Sequence, residues 1–171
     1  MWPQLGQRLD QQARATLPLL SGLLLTLLNV IVWPVPYLGG ITPALSLVAV
    51  YYWAVYRPDL STPLMAFAIG LIHDALNGLP LGLSALLFTA LHQLAYSQRR
   101  FFIGHPFFML WAGFALTMLV AASGQWLLMS MITWQPLNPT SVALQAGLTI
   151  GLFPTLAWLL INLQRIGLRQ V

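Results

Sequence analysis

The arginines of this chain lie only before, between and after long apolar segments, and this placement constrains the fold more than any other feature. All seven basic residues are arginines, namely Arg8, Arg14, Arg57, Arg99, Arg100, Arg165 and Arg169. A membrane-spanning helix needs about 20 mostly apolar residues, and the chain between successive arginine groups is long enough for two. The pattern therefore predicts hairpins of transmembrane helices whose charged ends share one side of a bilayer.

The composition agrees with this prediction, because 58% of the residues are hydrophobic and only 6% are charged. A soluble domain carries roughly 25% charged residues. Six spans of about 20 residues would use most of the 171 residues and leave no room for a soluble catalytic domain. The net charge of +4 does not indicate nucleic acid, since the arginines form no single stripe. The lack of cysteine excludes disulfides and thiolate metal sites.

We predict an all-α integral membrane protein with six transmembrane helices arranged as three hairpins. The expected spans are residues 17–33, 41–56, 60–76, 81–96, 106–134 and 142–163. They make a transmembrane domain over residues 17–163, and residues 164–171 form a C-terminal tail. Residues 1–16 are expected to be an N-terminal tail, either a short interfacial helix or a frayed end. Four aromatic residues near the end of the second span resemble an interface belt, namely Tyr51, Tyr52, Trp53 and Tyr56.

The orientation follows from the same arginines. Cytoplasmic loops are enriched in basic residues, so Arg57, Arg99 and Arg100 predict cytoplasmic turns, with both termini cytoplasmic. A five-span chain would place one arginine group on the opposite side. The first apolar run is not followed by a signal-peptide cleavage site, so we expect it to remain as a helix.

Asp74 is the only acidic residue within a predicted span. A carboxylate in lipid is costly, and such residues usually face the bundle interior. Its structural interpretation is acceptance of hydrogen bonds from the Asn77–Gly78 turn, and its functional interpretation is partner binding or gating. Ala66, Gly70 and Asp74 share one helix face on which another helix could approach closely.

Other polar and small residues leave several alternatives open. Asn29 and Gln125 lie at about the depth of Asp74 and could form a polar cluster with it. Gly147 and Gly151 form a helix-packing motif, which could act within the chain or toward another protein.

The three histidines carry no clear signal of function. His73 points about 100° away from Asp74 on the same helix. His92 lies nearer the cytoplasmic side, so it should not reach Asp74, and His105 is expected at the interface. Histidines at three depths make a poor metal site, and their roles stay open.

Enzymatic alternatives lack their residues. Ser84 lies in a segment similar to the nucleophile region of intramembrane serine proteases, but the fifth and sixth spans contain no histidine base. Aspartyl intramembrane proteolysis needs two membrane carboxylates, and the predicted spans contain one, Asp74. The chain has no glutamate, so metalloprotease and glutamate-based protease motifs are absent. We therefore predict neither an enzyme nor a cofactor.

The segments 56–59 and 68–86 resemble the rod shape-determining protein MreD family. That family has a similar Gly-Leu-x-x-Asp-x-x-x-Gly-x-Pro-Leu-Gly core where one helix ends and the next begins. The matching positions here are Gly70, Leu71, Asp74, Gly78, Pro80, Leu81 and Gly82. His73 departs from the pattern, since a leucine-like residue is usual there. Among these positions, together with Asn77, we expect the structural or partner-binding residues Gly70, Asp74, Asn77, Gly78, Pro80 and Gly82.

The resemblance implies a non-enzymatic scaffold of the bacterial inner membrane. MreD-like proteins work with the bitopic protein MreC, with MreB filaments, and with RodA and its penicillin-binding partner in lateral peptidoglycan synthesis. The family is also similar in fold to substrate-binding subunits of vitamin transporters. The alternative function is therefore solute binding, which would need a cavity with converging polar groups.

Overall fold

Six helices and no strand make up the part of the chain that the structure describes. The structure is a computed structural model covering residues 3–30, 41–102, 104–134 and 138–168, with the backbone alone for residues 3–15 and 166–168. The helices are α1 (Pro3–Val30), α2 (Leu45–Tyr56), α3 (Pro63–Asn77), α4 (Leu83–Phe102), α5 (Phe107–Thr133) and α6 (Pro139–Leu168). The predicted all-α class is confirmed.

Two helical segments are long and apolar enough to cross a membrane. They are α5 and residues Pro139–Arg165 of α6. The segments Thr16–Val30, Leu45–Tyr56 and Pro63–Asn77 are shorter apolar helices. The number of spans and the orientation of the termini therefore stay predictions.

Several helix limits differ from the expected ones, among them those of α4, α1 and α2. α4 continues six residues past the expected end at Tyr96, so Arg99 and Arg100 lie in its last turn. Arginine is a good helix former, and its charge is favourable beside the last carbonyl groups. α1 is continuous from Pro3 to Val30. α2 begins only at Leu45 because proline disfavours helix in the residue before it, and Pro43 precedes the helix.

The described arginine side chains lie at one end of the bundle. His92, in the middle of α4, is hydrogen bonded to Ser61 just before α3, so the second half of α4, with Arg99 and Arg100, lies toward the end of the bundle where α3 begins. Tyr52 donates to Gln164, which brings the end of α6 to the same level. We call this end, with Arg57, Arg99, Arg100 and Arg165, the arginine end. The opposite end, which carries the α3–α4 turn, is the hairpin end.

α2 is the central helix, and its residues Leu45 to Val55 are all buried. It packs on α1, α4 and α6. The expected interface belt is therefore wrong for three of its four residues, since Tyr51, Tyr52 and Trp53 are core residues and only Tyr56 is exposed. Their polar atoms have partners within the bundle, as when Trp53 Nε1 donates to Ser21 Oγ at 2.8 Å.

A short non-helical segment, residues 41–44, leads into α2 and is held by α6. The Ala44 N–H donates to Thr149 Oγ1 at 2.9 Å. The Thr42 carbonyl accepts from Gln145 Nε2 at 3.0 Å. Backbone groups in a membrane need protein partners where they leave regular helix, and α6 supplies them here.

Candidate functional site

The candidate site is the turn between α3 and α4, where two glycines make the connection. Gly78 ends α3 in the left-handed conformation, with φ 65°, and its N–H donates to the Asp74 carbonyl. The Leu79 N–H donates to the same carbonyl at 3.0 Å. Gly82 has φ 101°, which glycine adopts readily, and α4 begins at the next residue.

The Asp74 carboxylate binds the first turn of α4. It accepts from the Gly82 N–H at 3.0 Å. Both of its oxygens lie 3.0 Å from the Ser84 nitrogen. The side chain is completely buried.

The expected bonds from the Asn77–Gly78 turn to this carboxylate are therefore wrong. The turn amides of Gly78 and Leu79 bond the Asp74 backbone carbonyl instead. A helical side chain leans back toward the N-terminus of its own helix, away from the turn that follows. The carboxylate consequently reaches sideways to the neighbouring helix.

This arrangement stabilises a charge that would otherwise be costly in a membrane. The first N–H groups of a helix have no partner within it, and the helix dipole there favours a negative charge. Hydrogen bonds to a charged group contribute about 1.5–3 kcal/mol each. Asp74 of α3 thus acts as the N-terminal cap of α4 and joins the two helices.

Gly70 lies one helical turn before Asp74, where α3 contacts the α4 backbone. A Cβ atom at Gly70 would lie 2.5 Å from Ala85 Cα and 2.7 Å from the Ser84 carbonyl oxygen. Real Cβ atoms essentially never come so close, so a larger residue would separate the helices. The close approach expected on the face of Ala66, Gly70 and Asp74 is confirmed at Gly70, and the approaching helix is α4.

Beside Asp74, a second set of polar contacts joins α3 to α2. Ser46 Oγ lies 3.2 Å from His73 Nδ1. Asn77 Nδ2 donates to the His73 carbonyl at 2.8 Å. Ser46 is fully buried, so the Ser46–His73 pair is closed to a substrate and serves packing. Sequence analysis missed it, because Ser46 is a single hydroxyl within an apolar run.

His92 lies toward the other end of the bundle, as expected, and does not contact Asp74. Its Nε2 lies 3.2 Å from the Ser61 carbonyl oxygen, which can only accept. The bond therefore requires the tautomer with the proton on Nε2. This leaves Nδ1 as a buried acceptor with no partner among the described residues.

The proposed polar cluster of Asn29, Asp74 and Gln125 is not formed. The Asp74 carboxylate accepts from backbone amides at the start of α4, and Asn29 Oδ1 is buried with no hydrogen bond to any described residue. Gln125 is partly exposed on α5. Within the described residues, no group of three or more His, Cys, Asp or Glu could hold a metal ion.

Gly147 and Gly151 lie on the outside of α6. No described atom lies within 4 Å of a Cβ built at either position. They therefore do not serve packing among the described helices, which was one of the two alternatives. The glycines line an apolar groove of about 450 Å³ on α6, and a second groove of about 390 Å³ lies between α5 and α6.

These features define an all-helical membrane protein whose one described intramembrane carboxylate caps a helix. The chain matches the model of the rod shape-determining protein MreD over residues 12–160, which is most of its length, and it belongs to that family. No curated protein and no solved structure matches it. Family membership gives a role in rod-shape determination in a bacterial membrane.

Proposed function

We propose that this protein is a non-enzymatic scaffold of the rod complex, which maintains cell shape during lateral peptidoglycan synthesis. It would span the inner membrane six times, with both termini in the cytoplasm. Its partners would be an MreC-like bitopic protein and, directly or indirectly, MreB, RodA and a penicillin-binding protein. Membership of the MreD family supports the role in cell shape, and the arginine placement supports the orientation.

The main support for this proposal is the burial and hydrogen bonding of the Asp74 carboxylate. Its carboxylate is fully buried and bonded to two backbone N–H groups of α4. A carboxylate held in this way fixes the shape of the hairpin, whereas proton transfer or ligand binding would require it to be accessible. A fixed hairpin fits a surface that another protein recognises.

The tip of this hairpin carries exposed apolar side chains suited to a protein contact. Leu81 is 72% exposed, and Leu76 is 41% exposed. In the proposed orientation the tip faces the periplasm. We propose that the tip binds the MreC-like partner at that side.

Depletion in a rod-shaped host tests the cellular role. We expect rounded cells, with the MreC-like protein lost from its organised sites. Normal shape after complete depletion, together with lost uptake of a vitamin, would instead favour the solute-binding function.

Site-specific photo-crosslinking tests the contact. A photoreactive residue in place of Leu81 should capture the MreC-like partner in intact cells. Position Leu64 is a matched control, because it is 76% exposed but lies at the start of α3, near the arginine end. Capture of the partner from position 64 but not from position 81 would contradict the proposed surface.

A further inference from the structure

The two charged turns at the arginine end differ in their charge balance. In the α2–α3 turn, Arg57 pairs with Asp59 through Nη2 and Oδ2 at 3.2 Å and through Nε and Oδ1 at 3.2 Å. This turn therefore has no net charge. The last turn of α4, just before the α4–α5 connection, carries Arg99 and Arg100, which have no carboxylate partner among the described side chains.

No described carboxylate is left to balance these two arginines. Asp59 is bound to Arg57, and Asp74 is bound to the first turn of α4. α4 has 20 residues, so its two ends are about 30 Å apart. Among the described side chains, the two arginines at the end of α4 therefore have no carboxylate partner.

Both arginines flank one aromatic ring. Tyr96 lies three residues before Arg99 and four before Arg100, so all three share one side of the helix. The Arg99 guanidinium carbon lies 4.1 Å from the centre of the Tyr96 ring. A guanidinium stacked on a ring by its face keeps its N–H edge free to bind an anion. Arg100 is exposed.

Exposed aromatic side chains lie close to the arginines in sequence. Phe101 is 56% exposed and Phe108 is 67% exposed, and both lie within eight residues of Arg100. His105 stacks on Phe101, with ring centres 5.1 Å apart. Cationic groups next to exposed phenylalanines match the boundary between phospholipid headgroups and acyl chains.

We propose that this α4–α5 corner binds an anionic phospholipid, with Arg99 and Arg100 on the headgroup phosphate and Phe101 and Phe108 against the acyl chains. The charge complementarity selects anionic over zwitterionic headgroups, and the phenylalanines select a lipid over a soluble phosphate. The leaflet concerned follows from the orientation given under Proposed function, but binding itself does not depend on the rod complex.

The test uses the full chain, purified in mixed micelles, and compares its apparent affinities for phosphatidylglycerol and phosphatidylcholine. We expect the wild-type protein to prefer phosphatidylglycerol. Each arginine near an anionic surface contributes enough that the double variant Arg99→Gln/Arg100→Gln should bind it about 30-fold more weakly. Arg57→Gln is the matched control and should keep the preference, because Arg57 is already paired with Asp59.

Competition and salt dependence distinguish a lipid site from a site for soluble phosphate. Glycerol phosphate should not displace the lipid, and displacement at equal concentration would make the site a soluble-phosphate site. The preference of the unmodified protein should fall as salt rises, because salt screens exposed charges, and this measurement needs no variant to fold.

An unchanged preference in the double variant, or an equal loss in Arg57→Gln, would overturn the proposal. So would the absence of any lipid preference in the wild-type protein. Since purified protein in micelles has no partner and no defined orientation, failure of the rod-complex function would leave these results unaffected.

Discussion

At the scale of single residues, Gly70 and Asp74 act together on the neighbouring helix. Gly70 lets the backbones of α3 and α4 meet, and Asp74 binds the N–H groups that this contact brings within reach. The two residues are one helical turn apart, so they contact consecutive parts of the same surface. The two residues depend on each other, because a wider separation of α3 and α4 would move the Asp74 carboxylate away from the Ser84 N–H.

Two substitutions of Asp74 should show how much its hydrogen bonds to the start of α4 contribute. Asp74→Leu leaves two backbone N–H groups unpaired at about 1–3 kcal/mol each, whereas Asp74→Asn keeps one oxygen acceptor and should be milder. We expect Asp74→Leu to lower thermal stability in micelles and capture of the MreC-like partner more than Asp74→Asn does.

Abundance measured beside capture identifies the cause. If the hairpin serves folding alone, Asp74→Leu protein will be scarce but will bind normally. Full activity of both variants at normal abundance would exclude an important role for this carboxylate.

Gly70→Ala should also destabilise the protein, because the added methyl group would lie 2.5 Å from Ala85 Cα. Overpacking of this kind typically costs about 1–3 kcal/mol. Gly147→Ala is the matched control, since no described atom lies within 4 Å of the new methyl group. Thermal unfolding in micelles should show a loss for Gly70→Ala and no loss for Gly147→Ala. Equal stability of the two variants would contradict the close contact between α3 and α4.

The sequence indicated which residues matter in this turn but not which atoms they contact. The spacing of Ala66, Gly70 and Asp74 predicted a close helix contact, and Asn77–Gly78 predicted the turn. The partner of the carboxylate could not be found in this way, because Gly82 and Ser84 contribute only their backbone N–H groups. Every residue except proline has such a group, so no residue type marks the site.

At the scale of helices, α2 and α6 depend on each other. α2 has 12 residues and is about 18 Å long, which is less than the thickness of a bilayer core of about 30 Å. Residues 41–44 before it are not helical, and α6 side chains bind backbone groups of this segment. The periodicity of apolar residues predicted a longer helix here, because Ile41 and Ala44 are apolar whether or not they are helical.

Thr149→Val tests this dependence. Valine keeps the shape of threonine but cannot accept the Ala44 N–H, so a buried donor would lose its partner at a cost of about 1–3 kcal/mol. We expect a lower unfolding temperature in micelles. Thr155→Val, at an exposed position of the same helix, should leave the unfolding temperature unchanged. A similar fall in both variants would indicate that the change of residue type, rather than the bond to Ala44, is responsible.

At the scale of the whole molecule, the placement of the arginines was the most informative signal. It predicted the hairpin arrangement before any helix contact was known, and the structure places the described arginine side chains at one end. The packing order was not predictable, because nearly uniform apolar segments do not indicate which helix is central. The burial of Tyr51 and Trp53 in α2 is an example, since their amphipathic rings fit both a membrane interface and a core.

A cysteine scan tests the six-span topology, because the chain has no native cysteine. Single cysteines in place of Leu38, Leu79 and Leu137 should react with an impermeant reagent added to intact cells. A cysteine in place of Ser97, near the arginine end, should react only after the cells are opened. Protection of all three outer positions in intact cells would exclude this orientation.

The capping of α4 by a residue of α3 has a consequence for the order of events during synthesis. Asp74 leaves the ribosome before Gly82 and Ser84, so for a time its carboxylate lacks the N–H groups that stabilise it in the folded protein. α4 likewise has no residue of its own at Gly82 that could cap it. Only α3 and α4 together contain both the carboxylate and the N–H groups that it binds. The two helices should therefore leave the translocation machinery for lipid as one unit.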